Sequence, residues 1–292
     1  MTWSKGVVEW IEGDTAFVSC VFSWHLQEAY QRCAWLKAQG YRVRAGGPAV
    51  TMNPEVLSGV AELGGEVNAL VHHNPDATYT SRGCIRRCSF CAVPKIEGKL
   101  RELSDDEWEP KPIICDNNLL ATSLKHFDHV IDRLLEAGIK GVDLNGGLDA
   151  RILTDHHAQR ISELPKATMK LAWDNIGDEK KFMSAHNTLT KAGIKPEAIH
   201  VYVLLGFKDT PAETLYRLKK VMSLGSWPMP MRYQPLNALH KNEYVSPNWT
   251  AEELQKYMRY WARLMYFRHI PFEEWDTKIK RPKNRLIKLK HG

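Results

Sequence analysis

The stretch ATYTSRGCIRRCSFCAVPKIEG, residues 77–98, sets the fold and chemistry expected of this chain. ATYTSRGC reads as a strand that runs directly into a loop carrying Cys84, Cys88 and Cys91. Three thiolates in CxxxCxxC order can bind three irons of a cubane, whereas four would complete a structural or electron-transfer cluster. One iron is left open, and a ligand with both an amine and a carboxylate can chelate it and then accept an electron. A closed zinc site wants four ligands, commonly as two paired elements. The second pair is missing, because neither Cys115 nor the pairs His72–His73 and His156–His157 have knuckle spacing. Arg82, Arg86 and Arg87 surround the cysteines with positive charge, which favours thiolates over inert buried thiols.

Downstream of this loop, PIICDN, GVDLNG, KLAWDN, HVYVLLG and MRYQP read as further strands, alternating with helices such as LKHFDHVIDRLLEAG and PAETLYRLKKVMSLG. Repeated β-then-α order implies parallel strands with right-handed crossovers, and six such units suit an open three-quarter barrel. Upstream, TAFVSCVF, the helical pattern from Leu26 to Leu36, YRVRAGGPAV and a short helix begun by Pro54 form a small Rossmann-like βαβα unit. After Asn237 a polar connector leads to AEELQKYMRYWARLMYFRH, where Thr250 is the expected N-cap and Tyr257, Tyr260, Trp261 and Phe267 form a core-packing stripe. The expected class is therefore α/β: an N-terminal unit over 1–75, a partial barrel over 76–237 and a C-terminal helical extension with a basic tail over 238–292.

At 292 residues with 43% hydrophobic and 25% charged residues, the chain has the composition of a soluble globular protein. No run approaches the roughly 18 apolar residues of a membrane span, and the N-terminus lacks a basic segment followed by an apolar one, so no membrane association and cytoplasmic residence are expected. Six cysteines are too few for a disulfide scaffold of this length. Seven lysines and arginines crowd the last fifteen residues, so the remainder carries about −1 of the formal +6. That tail is either a phosphate-binding segment or a solvated terminus.

CxxxCxΦC, with Phe90 before the last cysteine and the loop following the first barrel strand, resembles the signature of the radical S-adenosylmethionine (radical SAM) superfamily. SRGCIRRCSFCAVPKIEG is similar in wording to its methylthiotransferase and cobalamin-dependent branches, and the resemblance covers residues 77–237. It implies a partial (β/α)6 radical SAM barrel, a [4Fe-4S] cluster on Cys84, Cys88 and Cys91, and S-adenosylmethionine as cofactor. It also implies that Phe90 packs near the adenine and that Asp116, Asn117 and Asn118 occupy the place of the methionyl amino-group site. Short polar side chains can accept from an ammonium there, and they serve a turn equally well. Asn145, Gly146 and Gly147 stand at the third strand's end, with Arg151 as a fork for the methionyl carboxylate. Asp174 and Asn175 are implied to reach the ribose or carboxylate, and Gly206 to lie near the adenine. Polar groups at successive strand ends support one another, since ligands of parallel α/β folds bind there.

The chain also departs from those branches. Trp24, His25 and Leu26 stand where a DxHxxG loop would be, so cobalamin is not expected. Cys20, Cys33 and Cys115 do not reproduce a second cluster, and the helical C-terminus is no RNA-binding barrel. The resemblance implies reductive cleavage to a 5′-deoxyadenosyl radical that takes hydrogen from a substrate, with electrons from a reductant protein such as a flavodoxin or ferredoxin. The basic tail, Arg82, Arg86, Arg87 and Lys95, and the aromatics Trp3, Trp10 and Trp227 favour a nucleic acid or nucleobase substrate. Two alternatives stand beside it: a non-enzymatic iron-sulfur or zinc protein binding nucleic acid, and a radical enzyme tailoring peptides or small metabolites.

Overall fold

A computed structural model describes residues 3–4, 6–64, 69–263 and 270–275, which build two separate hydrophobic cores. The basic tail and Phe267 lie outside the described residues. The smaller core belongs to a four-stranded sheet of β1 (Val7–Glu12), β2 (Thr15–Cys20), β3 (Arg42–Gly46) and β4 (Glu62–Leu63), in that order. Helix α1 (Leu26–Ala38) buries Leu26, Ala29, Cys33 and Leu36 along one stripe against it. β2, β3 and β4 are parallel, as the βαβα reading requires, but β1 adds an antiparallel hairpin partner that this reading lacks. The helix expected from Pro54 is only a single turn over Pro54–Val56, and α2 (Pro48–Met52) precedes it. Asn53, standing before a proline, is driven out of helical geometry (φ −141°, ψ 60°) and separates the two.

Helix α3 (Leu70–His73) leads into β5 (Ala77–Thr78), and the chain then makes the small antiparallel pair β6 (Ser81–Arg82) and β7 (Arg101–Glu102), with α4 (Val93–Ile96) between them. Five further strands follow, β8 (Ile113–Ile114), β9 (Asp143–Leu148), β10 (Thr168–Ala172), β11 (Ile199–Leu205) and β12 (Trp227–Arg232). With β5 they form a six-stranded sheet, parallel throughout, whose spatial order follows chain order without reversal. The protein is thus a mixed α/β structure with a parallel sheet and helices. β12 begins four residues before the MRYQP expected from sequence. Pro228 and Pro230 argue against a strand interior, but β12 lies at the sheet edge, where a missing N–H is tolerated.

The connecting helices are α5 (Leu124–Glu136), α6 (Asp155–Ser162), α7 (Glu179–Lys191) and α8 (Pro211–Ser223), followed by α9 (Ala251–Trp261). Their starts are written locally. Ser123 caps α5, and Thr210 with Glu213 and Thr250 with Glu253 form reciprocal capping boxes that satisfy otherwise orphaned N–H groups. α9 does not stand apart as an extension. Its Leu254, Tyr257, Tyr260 and Trp261 enter the same core as Phe127, Trp173 and Phe182 from the sheet unit. Each such buried side chain contributes roughly 1.5–3 kcal/mol of apolar burial. No helix among the described residues is long and apolar enough to cross a membrane.

Candidate functional site

The β6–β7 pair pinches the cysteine loop at its base, with Arg82 opposite Arg101. Gly83, at φ +75°, makes the crossing possible: a Cβ there would lie 2.2 Å from the Lys99 carbonyl oxygen. Glu97 then staples the loop, its Oε2 accepting from Gly83 N at 2.8 Å, Arg82 Nε at 3.0 Å and Asn117 Nδ2 at 2.8 Å. Held this way, Cys84, Cys88 and Cys91 are each part-exposed and line one hollow, with Arg86, Arg87, Lys95 and Lys99 on its walls. Two N–H groups already point at sulfur: Arg86 N lies 3.3 Å and Asn118 Nδ2 3.7 Å from Cys84 Sγ.

Among the described residues, no three His, Cys, Asp or Glu side chains converge as around a single metal ion. A cubane spreads its thiolates over separate corners, and the donor set of this hollow, three soft thiols with N–H donors and cations nearby, suits such a group. The expected bias toward thiolates needs correction at Cys91, where burial pushes the thiol up. Two of the three arginines invoked for that bias are neutralised, Arg82 by Glu97 and Arg86 by Asp149. The paired histidines are engaged elsewhere: His73 with Ser4 and Ser19, His72 stacked on Trp10, His156 with Asp128 and His157 in the cap of α6.

A cleft of about 360 Å³ adjoins the hollow and shares Cys88 and Ser89 with it. Phe90, Arg151, Asp174 and Asn175 line it, as the sequence reading had grouped them, and Asp149, Phe207 and Asp209 line it as well. Asp149, nearly buried, is the hub. Its carboxylate accepts from Arg86 Nε at 2.9 Å, Arg151 Nε at 2.6 Å and Asn118 Nδ2 at 3.4 Å, tying the cysteine loop to the end of β9. Burial works against its ionisation, but the hydrogen bonds from Arg151 and Arg86 outweigh this and hold the carboxyl below its usual range. Asp174 goes the other way: burial raises it to about 6 despite the opposing pull of Arg217. Phe90 meets Phe207 edge-on at 5.7 Å, joining the loop to the turn after β11. Asp209 is fixed in turn by the fully buried Arg217, whose Nη2 donates to Oδ2 at 2.8 Å.

Several expected residues also have partners within the chain. The Asp116 carboxylate is buried and accepts from Thr80 N, Thr80 Oγ1 and Ser81 Oγ at 2.5–2.6 Å, which ties it to the entry of the cysteine loop. Gly146 does admit a close backbone, but that of Asp116, whose carbonyl oxygen would lie 1.8 Å from an added Cβ. Gly206 is buried beneath Leu254 of α9. Asn117 serves the Glu97 staple, Asn175 accepts from Gly177 N, and Asn145 Nδ2 lies 4.0 Å from Cys115 Sγ. Asn118 differs: it is buried and its Oδ1 finds no partner among the described residues. Trp10, read as a solvent-type aromatic, is sandwiched between Phe17 and His72. Glu97 and Asp149 were missed by sequence reading, although a carboxylate among so many loop cations was a usable signal.

No protein-family model matches the chain, and no curated protein matches it either.

Proposed function

We propose that this chain is a radical SAM enzyme, its six-stranded sheet forming a partial (β/α)6 barrel and Cys84, Cys88 and Cys91 holding a [4Fe-4S] cluster. The observation that carries this reading is the junction at Cys88 and Ser89, where the three-thiol hollow meets a polar cleft at the carboxyl ends of parallel strands. When bound, the cluster and S-adenosylmethionine supply reductive cleavage to a 5′-deoxyadenosyl radical, using an electron from a flavodoxin- or ferredoxin-type partner.

The chain's own residues bind, orient and exclude water. The orphaned Asn118 Oδ1 is an acceptor for the methionyl ammonium, beside Cys84. Arg151, oriented by Asp149, retains N–H donors for the methionyl carboxylate. Asp174, ionised above about pH 6, and Asn175 offer acceptors to ribose hydroxyls across the cleft. Phe90 and Phe207 give the adenine an apolar wall that keeps solvent from the junction.

Anaerobic reconstitution with iron and sulfide, then dithionite and S-adenosylmethionine, tests this by release of 5′-deoxyadenosine. Wild type should release it and Cys88→Ala should not. A colourless, zinc-loaded protein without cleavage would replace the enzyme by a metal-stabilised binding protein. Truncation after Thr277 tests the tail separately: loss of salt-dependent nucleic acid binding with cleavage retained assigns it to substrate capture.

A further inference from the structure

The two faces of the six-stranded sheet are unlike. Alternate residues of a strand point to opposite faces. One set, Leu144, Met169, Leu171, Val201, Val203 and Leu205, is buried in the large core. The opposite set is mostly polar: Cys115 just past β8, Asp143 and Asn145 on β9, Lys170 on β10, and His200 and Tyr202 on β11, with Ala172 and Leu204 beside them. All of the polar ones but Lys170 are part-exposed. Register aligns them into rows, Lys170 opposite His200 and Ala172 opposite Tyr202. Parallel sheets are ordinarily apolar on both faces, so a polar, part-exposed face is the exception, and its groups are accessible to a ligand.

The charges on this face cancel locally. The Lys170 ammonium donates to Asp143, which also accepts from Thr168 Oγ1 at 3.3 Å, so an ionic ligand would find no unpaired counter-charge in that row. What remains is neutral. Burial, then Lys170, pushes His200 down, leaving an imidazole with one donor and one acceptor. Burial likewise keeps Tyr202 a hydroxyl. Among the described residues neither the His200 nitrogens nor the Tyr202 hydroxyl has a hydrogen-bond partner, and Asn145 has only its long contact with Cys115. Flat apolar surface stands alongside, with Trp227 opposite His200 and Met229 opposite Tyr202.

We propose that this face is the substrate pocket and that it takes a nucleobase, a neutral planar heterocycle read along its donor–acceptor edge by Asn145, His200 and Tyr202. Ala172, in register with Tyr202, also lines the cleft beside Cys88 and Arg151, so the pocket opens onto the cofactor site. What is done to the base rests on the radical-enzyme reading; its binding does not. A peptide terminus or organic acid would bring a charge that the Lys170–Asp143 pair has already used up.

Equilibrium dialysis of adenosine, guanosine, cytidine and uridine against the reconstituted full-length chain tests this, with N-acetylalanine amide and methyl glucoside as neutral polar controls. At least one nucleoside should bind with Kd below about 1 mM and neither control should. Tyr202→Phe and Asn145→Ala should each weaken that binding about five- to tenfold with unchanged thermal melts, and Tyr30→Phe on α1 should not. Should Asn145→Ala melt early, Tyr202→Phe, which deletes one oxygen, carries the test alone. No nucleoside binding, equal binding of the controls, binding of 5′-monophosphates only, or affinity indifferent to Tyr202→Phe would overturn the proposal. Parallel measurement of 5′-deoxyadenosine separates the two readings. Cleavage without nucleoside binding removes the pocket and leaves the enzyme, and binding without cleavage does the reverse.

Discussion

The small sheet unit and the loop between β6 and β7 both carry cysteines, and they use them in opposite ways. Cys20 and Cys33 are fully buried, one at the end of β2 and the other on the inward stripe of α1. Burial pushes their thiols up to about 12 and about 11, so they pack as small apolar groups. Cys84, Cys88 and Cys91 sit on a loop that a glycine crossing and the Glu97 staple lift out of the core, and all three are part-exposed. A thiol on a regular element takes its neighbours' environment, while a thiol on a stapled loop is left available for chemistry.

The largest expected effect tests that contrast directly. Cys84→Ala, Cys88→Ala or Cys91→Ala should each bring retained iron, measured by absorbance and metal analysis, to background without moving the thermal melt of the unreconstituted chain. Cys33→Ala should keep full iron loading and cost about 1 kcal/mol of stability through the space it leaves. Iron loss in Cys33→Ala would break the comparison, because a thiol that reads as core would then be part of the centre.

Next in size is a pair of glycines. Gly83 and Gly47 occupy equivalent straits: both have positive φ, and an added Cβ would lie 2.2 Å from the Lys99 carbonyl oxygen in one case and 2.6 Å from that of Cys20 in the other. Alanine at either site should cost about 1–3 kcal/mol. Only Gly83→Ala should lower iron uptake, because only that crossing shapes the cysteine loop. Equal uptake by the two variants in a side-by-side reconstitution would show that the loop does not depend on its base.

How much was legible in the sequence follows the range of the interactions involved. The Thr250 cap and the apolar stripes of α5 and α8 depend on neighbours a few residues apart, and the structure contains them. The single strand expected over ATYTSRGC is instead split into β5 (Ala77–Thr78) and β6 (Ser81–Arg82), because its pairing partner changes from β8 to β7, which no local pattern records. The hairpin partner β1 was overlooked because its half-exposed strand shows little apolar contrast. β12 was placed too late because its prolines are harmless only at an edge, and edge position is a property of the whole sheet. The candidate site divides in the same way. Phe90, Arg151, Asp174 and Asn175 share a cleft because successive strand ends share an edge. The partners of Asp116, Thr80 and Ser81, lie 36 and 35 residues away, and the backbone that Gly146 admits is that of Asp116, contacts no local pattern records. Asp149 was passed over because its role depends on Arg86, 63 residues away.

The smallest effect concerns two carboxylates shifted in opposite directions. Glu62, on the small sheet, is lowered by its hydrogen bond with Arg42, but the pair is exposed and solvent-screened, so Glu62→Gln should leave stability unchanged. Asp174, in the cleft of the large sheet, is raised by burial to about 6. A carboxyl whose folded value lies above its unfolded value of about 4 holds its proton more tightly when folded. Stability from this group is therefore greatest below about pH 4 and declines as pH rises to about 6, by at most about 1.4 kcal/mol per unit and less because the side chain is part-exposed. Asp174→Asn should flatten that slope in melts taken from pH 4 to 7. It should also remove any strengthening of S-adenosylmethionine affinity in the wild type as pH passes 6, since the ionised acceptor is then absent. A slope that survives the substitution would assign the pH dependence to another group and leave Asp174 as a neutral lining of the cleft.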